Sequence, residues 1–190
     1  MLLMKRLDRM LCALLAALLL AGCGAQPAGS GAAEEGSGAV VFTDALGYTV
    51  SPDSWERVVS LYGSFAETWL LAGGTLLGTT EDAVSERGLE LGQEVSVVGS
   101  VKEPSFEEVL ALEPDFVILS ADVAGQVKLH GALETAGIPH AYYRVDSFEA
   151  YLDMLGQFCG MTGRADLYRE NGLAVKERID RVLAAAEGRA

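Results

Sequence analysis

The chain of 190 residues carries 14 Lys and Arg against 27 Asp and Glu, a formal net charge of −13, with half its residues hydrophobic and only two His and three Cys. An acidic chain repels phosphates and anionic head groups, which argues against nucleic acid and anionic lipid surfaces as partners. The three cysteines form no CxxC and no Cys/His metal-ligand spacing.

In chain order, Lys5, Arg6 and Arg9 precede an uncharged apolar run from Met10 to Gly22, and the run stops at Cys23. As a helix it would rise only about 20 Å against a hydrocarbon core of about 30 Å, too short for a span. A core helix would show polar residues at helical spacing, and this run shows none. Basic flank, apolar run and small residues are the layout of a secretory signal over residues 1–22. The following GAQPAGSGAAEEGSG has no large apolar residue to bury, so residues 23–38 read as a flexible tether. Without residues 1–22, which hold Lys5, Arg6, Arg9 and Asp8, the balance is 11 basic against 26 acidic residues. About 150 residues remain for one domain of ordinary size. Cys12 lies in the signal and Cys159 in the run MLGQFCGM, where a buried helical thiol is expected.

Within the folded part, VVFTD and YTV around ALG predict a small hairpin. RVVSL (57–61) reads as a buried strand. SFAETWLLAGG (64–74) reads as a helix with Phe65, Trp69 and Ala72 on one face, and Ser64 with Glu67 has the spacing of a capping box. TLLGTT (75–80) is the next strand, and SVVGS (96–100) is a further short apolar piece. PSFEEVLALEPD (104–115) opens on Pro and Ser and aligns Phe106, Val109, Leu110 and Leu112 as a helical face. FVILS (116–120) is the clearest buried strand, followed by a helix through QVKLHGALETAG (126–137) and a strand at HAYY (140–143). SFEAYLDMLGQFCGMTG (147–163) is a further helix, with Ser147 placed to cap it.

Alternating strands and helices predict an α/β fold, a short parallel sheet with helices on both faces, here over residues 39–163. Right-handed crossovers put all strand C-termini on one rim, where ligands of such sheets bind. That rim comprises Tyr62-Gly63-Ser64, Thr79–Asp82, Gly99–Lys102, Ser120–Asp122 and Tyr143-Arg144. From residue 164 to 190 a long helix follows, with Val175, Ile179, Val182, Leu183 and Ala186 as an apolar stripe and Asn171-Gly172 as a point of bending or division.

Several strings resemble known sequences. Leu20-Ala21-Gly22-Cys23 resembles the lipobox of bacterial lipoproteins, which implies lipidation of Cys23 and an extracytoplasmic, membrane-anchored chain. FTDALGYTV, ERVVSLYGSFAETWLLAGG, LLGTT, VVGSVKEPSFEEVLALEPDFVILS and LETAGIPHAYY closely resemble the N-terminal lobe of class III substrate-binding proteins, the receptors of ABC importers for ferric siderophores, haem and cobalamin. PSFEEVLALEPDFVILS is the most specific piece. The resemblance implies a Rossmann-like ligand-binding lobe, an inter-lobe connector helix from residue 164, an ABC permease and a chelated-metal or corrinoid small molecule as partners, no cofactor and no catalysis. The family's second lobe would begin where the 190 residues end, so the sequence reads as truncated after the first lobe.

The same resemblance implies roles for particular residues. Glu107 aligns with the glutamate that docks on the permease; its place at a helix start equally suits the helix dipole, and Glu108 is adjacent. Tyr62 would stack on the ligand, while Ser64 either faces it or caps the helix. Lys102 and Arg144 would supply positive charge to an anionic ferric chelate. Asp82 and Ser120 stand at rim positions, and Asp122 either joins them or caps the next helix. A zinc or manganese site needs several His and carboxylate ligands converging, and His130 and His140, on separate elements with one expected mid-helix, do not supply that, so no direct metal site is expected. No P-loop, G-x-S-x-G or strand-linked G-x-G-x-x-G points to an enzyme. A second reading of the whole is a single-lobe surface lipoprotein acting as an interaction module without high-affinity ligand.

Overall fold

The computed structural model describes residues Val40–Glu187; Cys23, the expected signal and the tether lie outside the described residues. The described residues belong to one compact unit. Its elements are β1 (Phe42–Thr43), β2 (Thr49–Val50), β3 (Val58–Ser60), helix α1 (Gly63–Leu71), β4 (Gly78–Thr79), α2 (Asp82–Ser85), β5 (Ser96–Val97), α3 (Phe106–Ala111), β6 (Phe116–Ser120), α4 (Ala124–Val127), α5 (His130–Ala136), β7 (His140–Tyr143), α6 (Phe148–Thr162), α7 (Ala165–Tyr168) and α8 (Ala174–Glu187). Strands β1 and β2 form the expected antiparallel hairpin. The other five form one sheet in the order β5-β4-β3-β6-β7, every pair parallel. The chain therefore builds outward in one direction from β3, returns, and builds outward in the other from β6. The point of reversal lies between β3 and β6, where sheets of this kind open a crevice for ligand.

Burial on both faces explains the apolar runs. All five residues of β6 are buried, with Phe116 and Ile118 in one core and Val117 and Leu119 in the other. Val58 and Val59 divide in the same way, as do Tyr143 and Tyr142, because successive strand side chains point to opposite faces. Phe65, Ala66, Trp69 and Ala72 of the α1 region and Met154, Leu155, Phe158 and Cys159 of α6 cover one face. Trp69 meets Phe158 edge to face at 5.2 Å and donates Nε1–H to the Thr75 carbonyl at 2.8 Å. Val109 of α3 and Leu133 of α5 cover the other. The motif EPDF has a clear local job: Asp115 accepts from the backbone N–H groups of Glu56 and Arg57 at 3.0 and 2.9 Å and from the Ser54 hydroxyl, while the Arg57 side chain donates back to the Leu112 and Glu113 carbonyls. One carboxylate thus ties the start of β6 to the start of β3. Ser147 caps α6 as expected, its Oγ accepting from the Ala150 N–H at 3.1 Å.

Four local expectations are corrected. Ser64 does not cap α1, because the helix begins one residue earlier at Gly63 and the cap position is Tyr62; the Ser64 carbonyl instead accepts from the Thr68 hydroxyl. Glu67 pairs with Arg87 rather than closing a capping box. Leu110 is exposed, off the buried side of α3, since a helix of six residues presents little more than one turn to the sheet. The helix expected over 126–137 is two helices, α4 and α5, which makes His130 a first residue rather than a mid-helix one. The C-terminal helix runs from α7 through a single π-turn (Arg169–Leu173) into α8. The turn falls on Asn171-Gly172: Asn171 donates Nδ2–H to the Leu71 carbonyl at 2.9 Å, and the Tyr151 hydroxyl donates to the Asn171 carbonyl at 3.1 Å. Among the described residues no helix is long and apolar enough to cross a membrane.

Candidate ligand-binding rim

The C-terminal ends of the five parallel strands present their loops on one rim, and a buried side chain absent from the sequence reading organises it. Gln126, fully buried at the start of the β6-to-β7 crossover, donates Nε2–H to the Leu61 carbonyl at 2.6 Å and to the Val101 carbonyl at 2.9 Å. Its Oε1 accepts from the Ser120 N–H at 2.7 Å. Leu61 and Val101 immediately precede Tyr62 and Lys102. One amide therefore fixes the loops that carry three of the six residues expected to face ligand, and it does so across the β3/β6 reversal point. Gly125 makes the approach possible, since a Cβ there would lie 1.9 Å from the Lys102 carbonyl oxygen. The only sequence signal for Gln126 is a polar residue at the head of an amphipathic helix, which points equally to solvent.

A second clamp joins the loops after β3 and β4. Asp82 is 7 % exposed; its Oδ2 accepts from the Gly63 N–H at 2.7 Å and its Oδ1 from the Thr80 hydroxyl at 2.6 Å. Both oxygens are engaged within the chain, so Asp82 positions the Tyr62 loop rather than reaching outward. Gly63 is required, because a Cβ would stand 2.6 Å from the Ala83 nitrogen. Tyr62 is half-buried with its ring 4.8 Å from that of Phe65. Ser64 lines a separate groove of about 230 Å³ between α1 and α6, with Tyr151 and Arg87. Ser120 is buried, and its hydroxyl accepts from the Asp122 N–H at 3.2 Å.

The basic residues reach solvent. Arg144 donates Nε–H to Asp122 Oδ1 at 2.8 Å, an exposed pair that joins the loops after β6 and β7. The hydrogen bond and charge of Asp122 hold the guanidinium still higher than its ordinary range. Asp122 is thus a pairing residue and not the cap of α4, whose cap position is Val123. Lys102 is exposed and shares a groove of about 300 Å³ with Glu81, Asp82, Glu86 and Ser100. A larger cleft of about 400 Å³ lies along the β7 edge, lined among others by Asp44, Tyr143, Arg144, Asp153 and Gln157. Arg144 is the one expected residue that borders it. Glu107 is exposed in the first turn of α3, beside the Ser105 hydroxyl, which caps the helix by accepting from the Glu108 N–H at 3.3 Å.

The histidines, expected on separate elements without converging, stand together. His130 Nδ1 and His140 Nε2 stand 2.9 Å apart, and Glu134 completes a trio whose ligand atoms all lie within 4.8 Å of one another. The break before α5 turns His130 toward the first residue of β7, at the end of the sheet opposite the rim.

Comparison with known proteins agrees with this architecture. Residues 58–189 match the family described as periplasmic binding protein. A Bacillus subtilis (strain 168) protein named as an ABC transporter substrate-binding lipoprotein, YhfQ, is 29% identical over 136 residues, 69% of this chain and 41% of that protein. Among solved structures, a periplasmic haem-binding protein from Pseudomonas aeruginosa superposes with a TM-score of 0.59 at 26% identity, over 70% of this chain and 48% of that one. The siderophore-binding protein BauB, bound to acinetobactin and ferric iron, gives 0.60 at 20% identity over 77% and 54%. The vitamin B12 binding protein BtuF of Vibrio cholerae gives 0.56 at 18% identity over 66% and 49%. The chain spans about half the length of these relatives or less.

Proposed function

The chain belongs to the periplasmic binding protein family, and from that premise we propose that it forms the first ligand-binding lobe of an extracytoplasmic, lipid-anchored receptor for an ABC importer of iron–siderophore, haem or cobalamin-type ligands. The observation that carries the reading is the coincidence of the family match with the rim: residues 58–189 include all five sheet strands, the loops that Gln126 and Asp82 hold together, and the paired Arg144. In this reading residues 1–22 are removed and Cys23 carries the lipid that anchors the lobe to the membrane. Glu107, exposed at the head of α3, meets cationic groups of the permease.

On the rim, Tyr62 offers an aromatic face and Lys102 and Arg144 offer charge. A carboxylate or hydroxamate oxygen of the ligand replaces Asp122 on Arg144. Exposed ion pairs contribute only about 0–1 kcal/mol, so the exchange is inexpensive. Small-molecule sites bury about 70–90% of a ligand, and one lobe encloses one side of it. Tight binding in this reading therefore uses a second lobe, approached along the helix that begins at Ala165. Ligand binding is what the family description and these relatives' names share.

The test is a thermal shift of the full chain with a panel of ferric siderophores, haem and cobalamin. Ligand at 100-fold over Kd adds about 2.7 kcal/mol of stability. A shift with one ligand class, reduced in Arg144→Ala, is expected. A flat response to the whole panel, with each ligand raised to its solubility limit so that weak binding by one lobe would register, sinks the receptor reading for this chain and favours the surface interaction module.

A further inference from the structure

We propose that His130, Glu134 and His140 form a binding site for a divalent transition-metal ion of the zinc class, at the end of the sheet away from the ligand rim. His130 and Glu134 stand four residues apart on α5, so their side chains share one face of the helix. His140 opens β7 directly opposite. The ligand atoms of the three lie within 4.8 Å of one another, and the two imidazole nitrogens are 2.9 Å apart.

The rings are oriented before any ion arrives. His140 Nδ1 lies 2.9 Å from the Ile138 carbonyl, which can only accept, so that nitrogen carries the proton and Nε2 offers its lone pair toward His130. An N–H donated to a backbone carbonyl is the arrangement that fixes metal-bound histidines in place. The Tyr48 ring stacks on His130 at 4.0 Å and 15°, holding the second imidazole plane. His140 is buried, His130 half-buried and Glu134 exposed, which leaves one side open. A cavity of about 350 Å³ lined by Glu134, His140, Thr49 and Ser51 gives a path from solvent.

At zinc–nitrogen bonds of about 2.0–2.1 Å, two tetrahedral ligands stand about 3.4 Å apart, so the rings need to part by only about 0.5 Å. Two imidazoles and one carboxylate suit Zn²⁺, Ni²⁺ or Cu²⁺ over Mg²⁺ or Ca²⁺, which favour all-oxygen sites. The ion would join α5 to the start of β7, a position independent of the rim and of whatever ligand the rim takes.

The experiment is a calorimetric titration of chelator-treated, tag-free full chain with ZnCl₂, with Co²⁺ absorption as a second probe. One ion per chain, a raised Tm, and affinity reduced about tenfold or more in His130→Ala and in Glu134→Gln are expected. Glu134 is exposed, so that variant remains folded even if a histidine variant does not. Absence of stoichiometric Zn²⁺ binding, or binding unchanged in Glu134→Gln and in a folded His130→Ala, overturns the proposal.

Discussion

Gln126 donates to the Leu61 carbonyl at 2.6 Å, joining the crossover after β6 to the loop after β3 at the point where the strand order reverses. The same side chain reaches Val101 and Ser120. Replacing it by Leu keeps the volume and leaves two carbonyls and an N–H without their partner. Each buried orphan costs about 1–3 kcal/mol. Gln126→Leu is expected to lower unfolding free energy by about 3 kcal/mol in urea titrations, and to loosen the Tyr62 and Lys102 loops in hydrogen exchange. A variant as stable as the parent would remove Gln126 from this role.

Gly63 and Asp82 form the second clamp, and each is sensitive for a different reason. Gly63→Ala drives a methyl against the Ala83 backbone nitrogen at 2.6 Å and against the Asp82 carboxylate, itself held by hydrogen bonds, at 2.7 Å. Overpacking of this kind costs about 1–3 kcal/mol. Asp82→Ala removes the acceptor of the Gly63 N–H and the Thr80 hydroxyl. Both variants should show a lower urea midpoint with unchanged far-UV circular dichroism; an unchanged midpoint for Gly63→Ala would show that the loop has room to move.

Alkaline pH should unfold the lobe through its tyrosines. Burial, helped by the charge of Asp44, pushes the Tyr143 phenol well above its ordinary value, and burial does the same for Tyr142. The unfolded phenols release their protons near pH 10 while the folded ones keep theirs. The unfolded state then binds fewer protons, so stability falls as pH rises above about 10 and is intact below it. The Tyr143 hydroxyl is also buried with no partner among the described residues. Tyr143→Phe should be neutral or stabilising by about 1 kcal/mol at pH 8, and should flatten the alkaline decline. Urea midpoints at pH 8, 10 and 11 for parent and variant decide this.

The outer face of α8 is apolar and open: Ile179, Val182 and Leu183 are 38 %, 68 % and 57 % exposed and form a shallow hollow with Arg178. A contiguous apolar patch promotes association. The chain should self-associate with rising concentration in light scattering, and Val182→Glu with Leu183→Glu should return it to monomer. A parent that is monodisperse over the whole range would show the stripe to be too small to act.

Sequence pattern alone determined the α/β class, the buried strand FVILS, the face of α1 and the presence of α6, because burial on both sides of a sheet leaves continuous apolar runs and a helix on that sheet leaves a 3.6-residue stripe. It also determined which residues stand at strand ends, hence the membership of the rim. Tertiary structure alone decided what those residues do. Asp82 and Ser120 are engaged inside the protein, Arg144 is paired with Asp122, and Gln126, unmarked in the sequence, joins three loops that lie 25 and 65 residues or as little as 6 from it. The two histidines show the same division. A ten-residue separation says nothing of distance until a helix break and a strand start bring their nitrogens to 2.9 Å. Periodicity is a local property of the chain and survives in the sequence, whereas a hydrogen-bond partner is chosen by the path of the backbone between two elements, which no single stretch encodes.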